Sequence, residues 1–236
     1  MAVNKDKNSY TFFFAIVMVV IVGTCLAAVS VGLKPKQDKN TIIKKKMDIL
    51  GALKIEGVSR KNAEELYDKY VLSDENLVLN ALGTPIEGEA FDIDIKKEFK
   101  DKNLPLGDRK YPLYIAEIDG ARKYVIPVVG SGLWGPIWGY IALNEDQSSI
   151  FGAKFDHKGE TPGLGAEIKQ DFFTDRFLTE VISVDNQYKK ITIVKDGSGA
   201  DKMHTVDGIT GGTITSKGVE EMLHRTVQVY VDYFNN

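Results

Sequence analysis

The sequence predicts an α+β domain behind a single N-terminal transmembrane helix, and three observations carry that prediction. Residues 8–33 contain no charged side chain. The stretch YPLYIAEIDGARKYVIPVVG, from Tyr111 to Gly130, sets two β-rich runs on either side of Asp119-Gly120, a strong hairpin signal. Amphipathic helical patterns flank such strand pairs without a regular alternation of strand and helix, which favours α+β over a parallel sheet.

Taken in order, the apolar run YTFFFAIVMVVIVGTCLAAVSVGL spans residues 10–33 and is long enough to cross a hydrocarbon core of ~30 Å at ~1.5 Å per helical residue. A cleaved secretory signal is the rival reading, with Lys5 and Lys7 before the run and VGTC as a poor lipid-attachment box ending at Cys25. The run outlasts an h-region of ~7–15 residues, and Thr24 is bulky for a position before a processed cysteine. A retained span is therefore expected. After it come Lys34, Lys36, Lys39, Lys44, Lys45 and Lys46 against Asp38, whereas Lys5 and Lys7 precede it against Asp6. Taken alone, the positive-inside bias puts the large domain in the cytoplasm, although long domains translocate regardless of flanking charge.

Residues 34–58 read as a basic linker after a short tail (1–9) and the span (10–33), and residues 59–236 as the soluble domain. Ser59 is placed to cap a helix with Ala63, Leu66, Tyr67, Tyr70 and Val71 on one face. A second hairpin is expected in VISVDNQYKKITIV, turning near Asp185 and Asn186. From Val219 onward, Met222, Leu223, Thr226, Tyr230 and Tyr233 form the apolar face of a C-terminal helix whose start is expected near Ser216.

Composition excludes several classes. With 43% apolar and 27% charged residues, the chain is globular rather than disordered. A net charge of −3 leaves no basic surplus to neutralise phosphates, so nucleic acid is not an expected partner. Cys25 is the only cysteine, so neither a disulfide framework nor a thiolate metal cage can form within the chain. His157, His204 and His224 have no metal-ligand spacing, and no metal is expected.

Three glycine-rich segments lie outside plain hairpin turns: GSGLWGPIWGY (Gly130–Tyr140), HKGETPGLGAEI (His157–Ile168) and DGITGGTITSKGVEEM (Asp207–Met222). Glycine lets backbone approach a ligand closely, and each segment can equally be an ordinary turn. The third is not a nucleotide P-loop, because Lys217 is followed by Gly218 and no apolar strand precedes the glycines. Ser131 and Ser198 sit in GSG turns rather than a nucleophile elbow. Geometry leaves two readings open for Thr210–Thr215: a simple capped helix start, or an anion site in which helix amides and Lys217 favour a phosphate. Glu220 and Glu221 suit the same dipole but repel an anion.

DGITGGT resembles the flavin-attachment motif D-[GA]-x-[ST]-G-A-T, in which a dedicated transferase joins FMN to the last threonine through a phosphoester. ETPGLGAEI and GSGLWGPIWGYIAL resemble the two other signature segments of the C subunit of sodium-translocating NADH:quinone oxidoreductases, in the same order along the chain. The G subunit of Rnf-type ferredoxin:NAD complexes shares the first two signals, whereas the GLW segment is closer to the sodium-pump subunit. A flavin-free, membrane-anchored assembly module is the rival from another class.

The resemblance implies an FMN-binding region at about 130–230, with covalent FMN on Thr213. It implies contacts to the cofactor from Glu160, Thr161, Pro162, Gly163, Leu164, Gly165 and Trp134, and from Thr210, Gly211, Gly212 and Lys217 around the phosphate. Asp207 would serve recognition by the transferase. Gly212 stands where the motif has alanine, which keeps the loop small but loosens it. The resemblance also implies an electron carrier rather than a complete enzyme, in the inner membrane, with its soluble domain on the extracytoplasmic (periplasmic) side. NADH, quinone and sodium would then be handled by the other subunits of the membrane complex.

Overall fold

The computed structural model describes residues 8–195, 197–199 and 202–235; Lys5, Asp6 and Lys7 lie outside them. The chain forms two units, 1–44 and 45–236. The first is helical from Asn8 onward, within a helix α1 that runs Asn8–Ala52 and includes Pro35. Its most apolar 18-residue window has a mean hydropathy of 2.8 and is not buried against protein. The segment read as a basic linker is thus helical as far as Ala52. The second unit starts at Lys45 rather than at 59, because Ile49, Leu50, Ala52 and Leu53 are buried in its core.

In the second unit, α2 (Ala63–Tyr70) precedes short strands β1 (Leu77–Leu79) and β2 (Pro85–Ile86), followed by α3 (Ile95–Lys100). Four long strands come next: β3 (Tyr111–Ile118), β4 (Ala121–Ser131), β5 (Pro136–Leu143) and β6 (Ile150–His157). A one-turn helix α4 (Asp171–Thr174) leads to β7 (Ser183–Val184), β8 (Gln187–Tyr188), β9 (Thr192–Val194) and β10 (Thr205–Asp207), and α5 (Thr213–Phe234) ends the chain. Six strands form one antiparallel sheet in the order β2-β1-β3-β4-β5-β6.

Side chains alternate across this sheet, as a period of two requires. Leu113, Ile126, Val128, Ile137, Ile141 and Phe155 face Val219, Met222, Leu223, Val227 and Tyr230 of α5. Tyr114, Ala116, Val125, Tyr140 and Ala142 face the other way, against Ile49, Leu50 and Leu53 and against Tyr67 of α2. The sheet is therefore covered on both faces, with α5 packed along one of them.

The β3–β4 turn falls at Asp119-Gly120 as expected, with φ values of 53° and 78° that suit a type I′ turn. Asp185 and Asn186 likewise take φ values of 52° and 60° between β7 and β8. That second hairpin is shorter than its sequence suggests. ITIV does not return along VISV; β9 pairs in parallel with β10, and the amide of Ile193 donates to the Glu220 carboxylate at 2.7 Å. Ser59 does not cap α2. Its amide and hydroxyl both donate to Asn62 Oδ1, and the helix begins only at Ala63.

Close approach of α5 to β4 depends on glycine. A Cβ on Gly218 would lie 2.2 Å from the Ser131 carbonyl oxygen and 3.2 Å from Ile137 Cδ1. Replacing an interior helical glycine by alanine normally gains ~1 kcal/mol, whereas overpacking costs ~1–3 kcal/mol or more. The clash is with backbone, so the second effect wins. Gly218→Ala is expected to lower stability by ~1–3 kcal/mol, seen as a fall of several degrees in the thermal midpoint. A raised midpoint would refute the close approach.

Candidate functional site

The three glycine-rich segments converge at the start of α5. The first is the β4–β5 turn, closed by Gly132 N–H donating to the Gly135 carbonyl at 2.8 Å. The second follows β6, where the Thr161 carbonyl accepts from Leu164 and Ala166 and where Gly163 takes a φ of 76° and donates to Glu167 Oε1. The third links β10 to α5. It is pinned from below by Arg176, whose guanidinium donates to the carbonyls of Asp207 (2.7 Å) and Gly208 (3.0 Å). The Ser216 hydroxyl accepts from the amide of Ile209 at 3.0 Å.

Helix α5 begins at Thr213, three residues before the expected Ser216, and its N-cap Gly212 provides no side-chain hydrogen bond. No acidic residue lies in the first turn. The first-turn amides and the positive end of the helix dipole therefore meet no acidic side chain of α5 itself, an arrangement that suits an oxyanion, while the Glu160 carboxylate approaches from the loop after β6 and is bound to Thr215 Oγ1. Glu220, further along α5, is already committed to other partners. It is 8% exposed, and it accepts from Lys217 (2.6 Å), Lys190 (2.9 Å) and the Ile193 amide. Burial raises its pKa, but these hydrogen bonds outweigh burial and hold it below the ordinary carboxylate value. Lys217 consequently sits beside Thr213 with much of its charge already paired.

The hydroxyls of the third segment fall into two groups. Those of Thr215 and Ser216 are buried and committed: Thr215 Oγ1 donates to Glu160 Oε2 at 2.5 Å, and Ser216 Oγ is bound to Ile209. Thr210 and Thr213 are exposed. Thr213 lines two clefts. One, of about 210 Å³, is walled by Leu133, Trp134, Leu164, Gly211 and Ile214. The other, of about 420 Å³, is walled by Val194, Lys195, Gly208 and Lys217.

Trp134 is 69% exposed, so it is not the core residue its size suggests; Leu133 (51%), Ile214 (58%) and Leu164 (41%) share the same open apolar surface. Thr161, Pro162 and Gly163 are exposed beside them, and Gly165 is buried. Gly165 has no room for a side chain, since a Cβ would lie 2.4 Å from Thr215 Oγ1 and 2.6 Å from Glu160 Oε2. At Gly212 a methyl would meet Ile209 Cβ at 3.1 Å and the Leu164 carbonyl carbon at 3.2 Å, so glycine fits here with less crowding than alanine. Gly211, at φ 75°, lies against Leu164. Asp207 is half-buried and directs Oδ1 to the Gly199 amide at 2.9 Å, fastening its own loop.

Glu160 is the buried charged member of the set, at 5% exposure. Its Oε1 accepts from the Trp134 amide at 2.8 Å, and its Oε2 from the Leu133 amide at 3.3 Å and from Thr215. Burial pushes its pKa up, but hydrogen bonds from Thr215, Trp134, Leu133 and Gly135 together hold it below the ordinary carboxylate value. A lowered pKa means that this carboxylate stabilises the fold above its unfolded pKa, and that the contribution disappears as pH falls through the lower folded value. Sequence reasoning misses Leu133, Ile214, Arg176 and the inward hydroxyl of Thr215. Only the first two carry a local signal, as apolar neighbours of Trp134 and Thr213.

Residues 132–228 match the FMN-binding domain family. The chain is 31% identical over 231 residues to the C subunit of the Na(+)-translocating NADH-quinone reductase of Haemophilus ducreyi, covering 92% of this chain and 88% of that protein. It is 28% identical over 235 residues to the protein of the same name from Vibrio anguillarum, with 93% and 90% covered. The crystal structure of the corresponding Na(+)-translocating NADH-quinone reductase C subunit from Parabacteroides distasonis superposes with a TM-score of 0.77 at 38% identity, covering 86% of this chain and 98% of that one. The glycine loops, the exposed threonine at the helix start and this likeness over nearly the whole chain agree: the protein belongs to the family of the C subunit of Na(+)-translocating NADH-quinone reductase.

Proposed function

We propose that this chain is the membrane-anchored flavoprotein subunit of a sodium-translocating NADH–quinone reductase, carrying FMN through a phosphoester to Thr213 and relaying electrons between neighbouring subunits. One observation carries the reading. Among the threonines of the third segment, Thr213 alone combines an exposed hydroxyl with the first position of an uncapped 22-residue helix. A phosphate joined there would meet the first-turn amides directly. FMN, when bound, supplies the one- and two-electron chemistry; the protein supplies position and field.

The remaining residues have definite work in this reading. Gly211 and Gly212 keep side chains away from the attachment point, so that a transferase can reach the hydroxyl. Trp134, Leu133, Leu164 and Ile214 offer apolar surface for a flat ring, with Thr161, Pro162 and Gly163 at its margin. Lys217, paired to Glu220, softens the local field without fixing the phosphate. Asp207 holds the loop that presents Thr213 and is the residue for the transferase to recognise. Mass spectrometry of the denatured chain from its native source tests the attachment, with the added mass of one FMN mapped to a peptide containing Thr213.

The anchor is the uncharged part of α1, retained as a single pass, and the soluble unit faces the extracytoplasmic side. A cysteine at the exposed Lys100, in a Cys25→Ser background, is expected to react with an impermeant thiol reagent added to intact cells. Labelling only after lysis would reverse the orientation.

A further inference from the structure

We propose that Glu160 is a positioning residue: its buried carboxylate ties the Trp134 turn to the first turn of α5, and so fixes the arrangement of Trp134 and Thr213 on which flavin attachment depends. The inference rests on the Thr213 reading and adds the device that shapes its site.

The geometry is specific. Leu133 and Trp134 belong to the β4–β5 turn, Thr215 to α5, and Glu160 to the loop after β6, so one side chain joins all three glycine-rich segments. Every partner is a donor: the backbone amides of Leu133, Trp134 and Gly135 and the Thr215 hydroxyl. Only a carboxylate accepts from all of them at once. Gly132 and Gly165 make room for it, because a Cβ on either would lie 2.6 Å from one of its oxygens. The loop carrying it is also fixed, since the Glu160 amide donates to His157 Nδ1 at 3.0 Å. Trp134, by contrast, exposes its ring to solvent, so its place depends on backbone held from beneath rather than on burial of its own side chain.

Glutamine at this position has one oxygen. It can keep the Trp134 bond and reverse the Thr215 bond by donating to that hydroxyl, but it loses the Leu133 bond. Alanine loses every one of these bonds. The two variants therefore grade the same latch, and Thr215→Val cuts it on the α5 side alone.

The chain has only two tryptophans. The full-length protein in detergent, labelled with ¹⁵N-tryptophan, gives two backbone amide resonances, which Trp138→Phe assigns. Wild type is expected to show a protected Trp134 amide whose shift moves with pH only below the usual glutamate range. Glu160→Ala should speed Trp134 exchange about ten-fold or more and lower by a similar factor the covalent FMN formed in a fixed time by an added flavin transferase supplied with a flavin dinucleotide, whose pyrophosphate bond breaks and whose nucleoside monophosphate leaves as the threonine oxygen–phosphorus bond forms. Glu160→Gln should fall between Glu160→Ala and wild type, and stands in for the alanine variant if that chain does not fold. Thr215→Val should leave Trp134 exchange as in wild type yet slow attachment. Unchanged Trp134 exchange in the Glu160 variants overturns the proposal, and so does fast exchange with wild-type attachment. A wild-type chain that takes no flavin from a transferase active on another substrate overturns the Thr213 reading instead; the Trp134 amide still responding to Glu160 tells the two failures apart.

Discussion

Thr213→Val is expected to abolish covalent flavin while leaving the fold intact. A phosphoester needs a side-chain oxygen, and valine keeps the β-branched shape of threonine without one. The position is exposed at the first residue of α5, and its hydroxyl caps nothing, so the change in stability should stay within about 0.5 kcal/mol. Thr210→Val, at the other exposed threonine, should keep covalent flavin. Thr215→Val removes a hydrogen bond to a buried carboxylate, costing ~1–3 kcal/mol, and should slow attachment without eliminating it. The readout is flavin fluorescence of the denatured band after expression with a transferase in the compartment that holds the domain. Fluorescence persisting in Thr213→Val would assign the phosphoester elsewhere. A wild-type chain that never fluoresces beside an active transferase would leave a flavin-free assembly module as the better account.

What can be seen in the sequence follows from the range of the forces involved. The Asp119-Gly120 turn is legible because two adjacent residues take positive φ, a local demand that few residue types meet. The apolar run is legible as a helix because it is long and unbroken. The start of α5 is misplaced by sequence reasoning because Thr210–Thr215 is a hydroxyl-rich run with two glycines that reads as a turn, whereas tertiary packing of Thr215 and Ser216 winds its end into the helix. The exposure of Trp134 is only partly legible: its motif implies a contact with the cofactor, but only the placement of the β4–β5 turn leaves the indole in solvent. Glu160 is selected through its motif, but its inward orientation depends on Trp134 and Thr215, which are distant in sequence. The same is true of Arg176, whose partners lie on the loop before α5.

Truncation at the wrong boundary should have an effect as large as any in the chain. A protein beginning at Ser59, where the sequence places the domain, is expected to lose its cooperative thermal transition, while one beginning at Lys45 should keep it. Ile49, Leu50 and Leu53 are each no more than 1% exposed and pack on Tyr67, Val71, Tyr114, Val125 and Tyr140 across one face of the sheet. Removing a buried Leu or Ile side chain costs ~2–5 kcal/mol, and a domain is stable by only ~5–15 kcal/mol in total, so losing three at once exhausts the margin. The lysines around them conceal this core in the sequence. Lys45 itself belongs to the domain: its ammonium donates to the carbonyls of Phe91 and Ile93 and lies over the Phe91 ring. Burial lowers its pKa to about 8 against the pull of Asp94 and Asp92. Removal of α1 up to Lys44 takes away the apolar run and spares all of these contacts. Differential scanning calorimetry of the two truncations decides the matter, and a sharp transition in the Ser59 protein would show that the face under α2 closes without the end of α1.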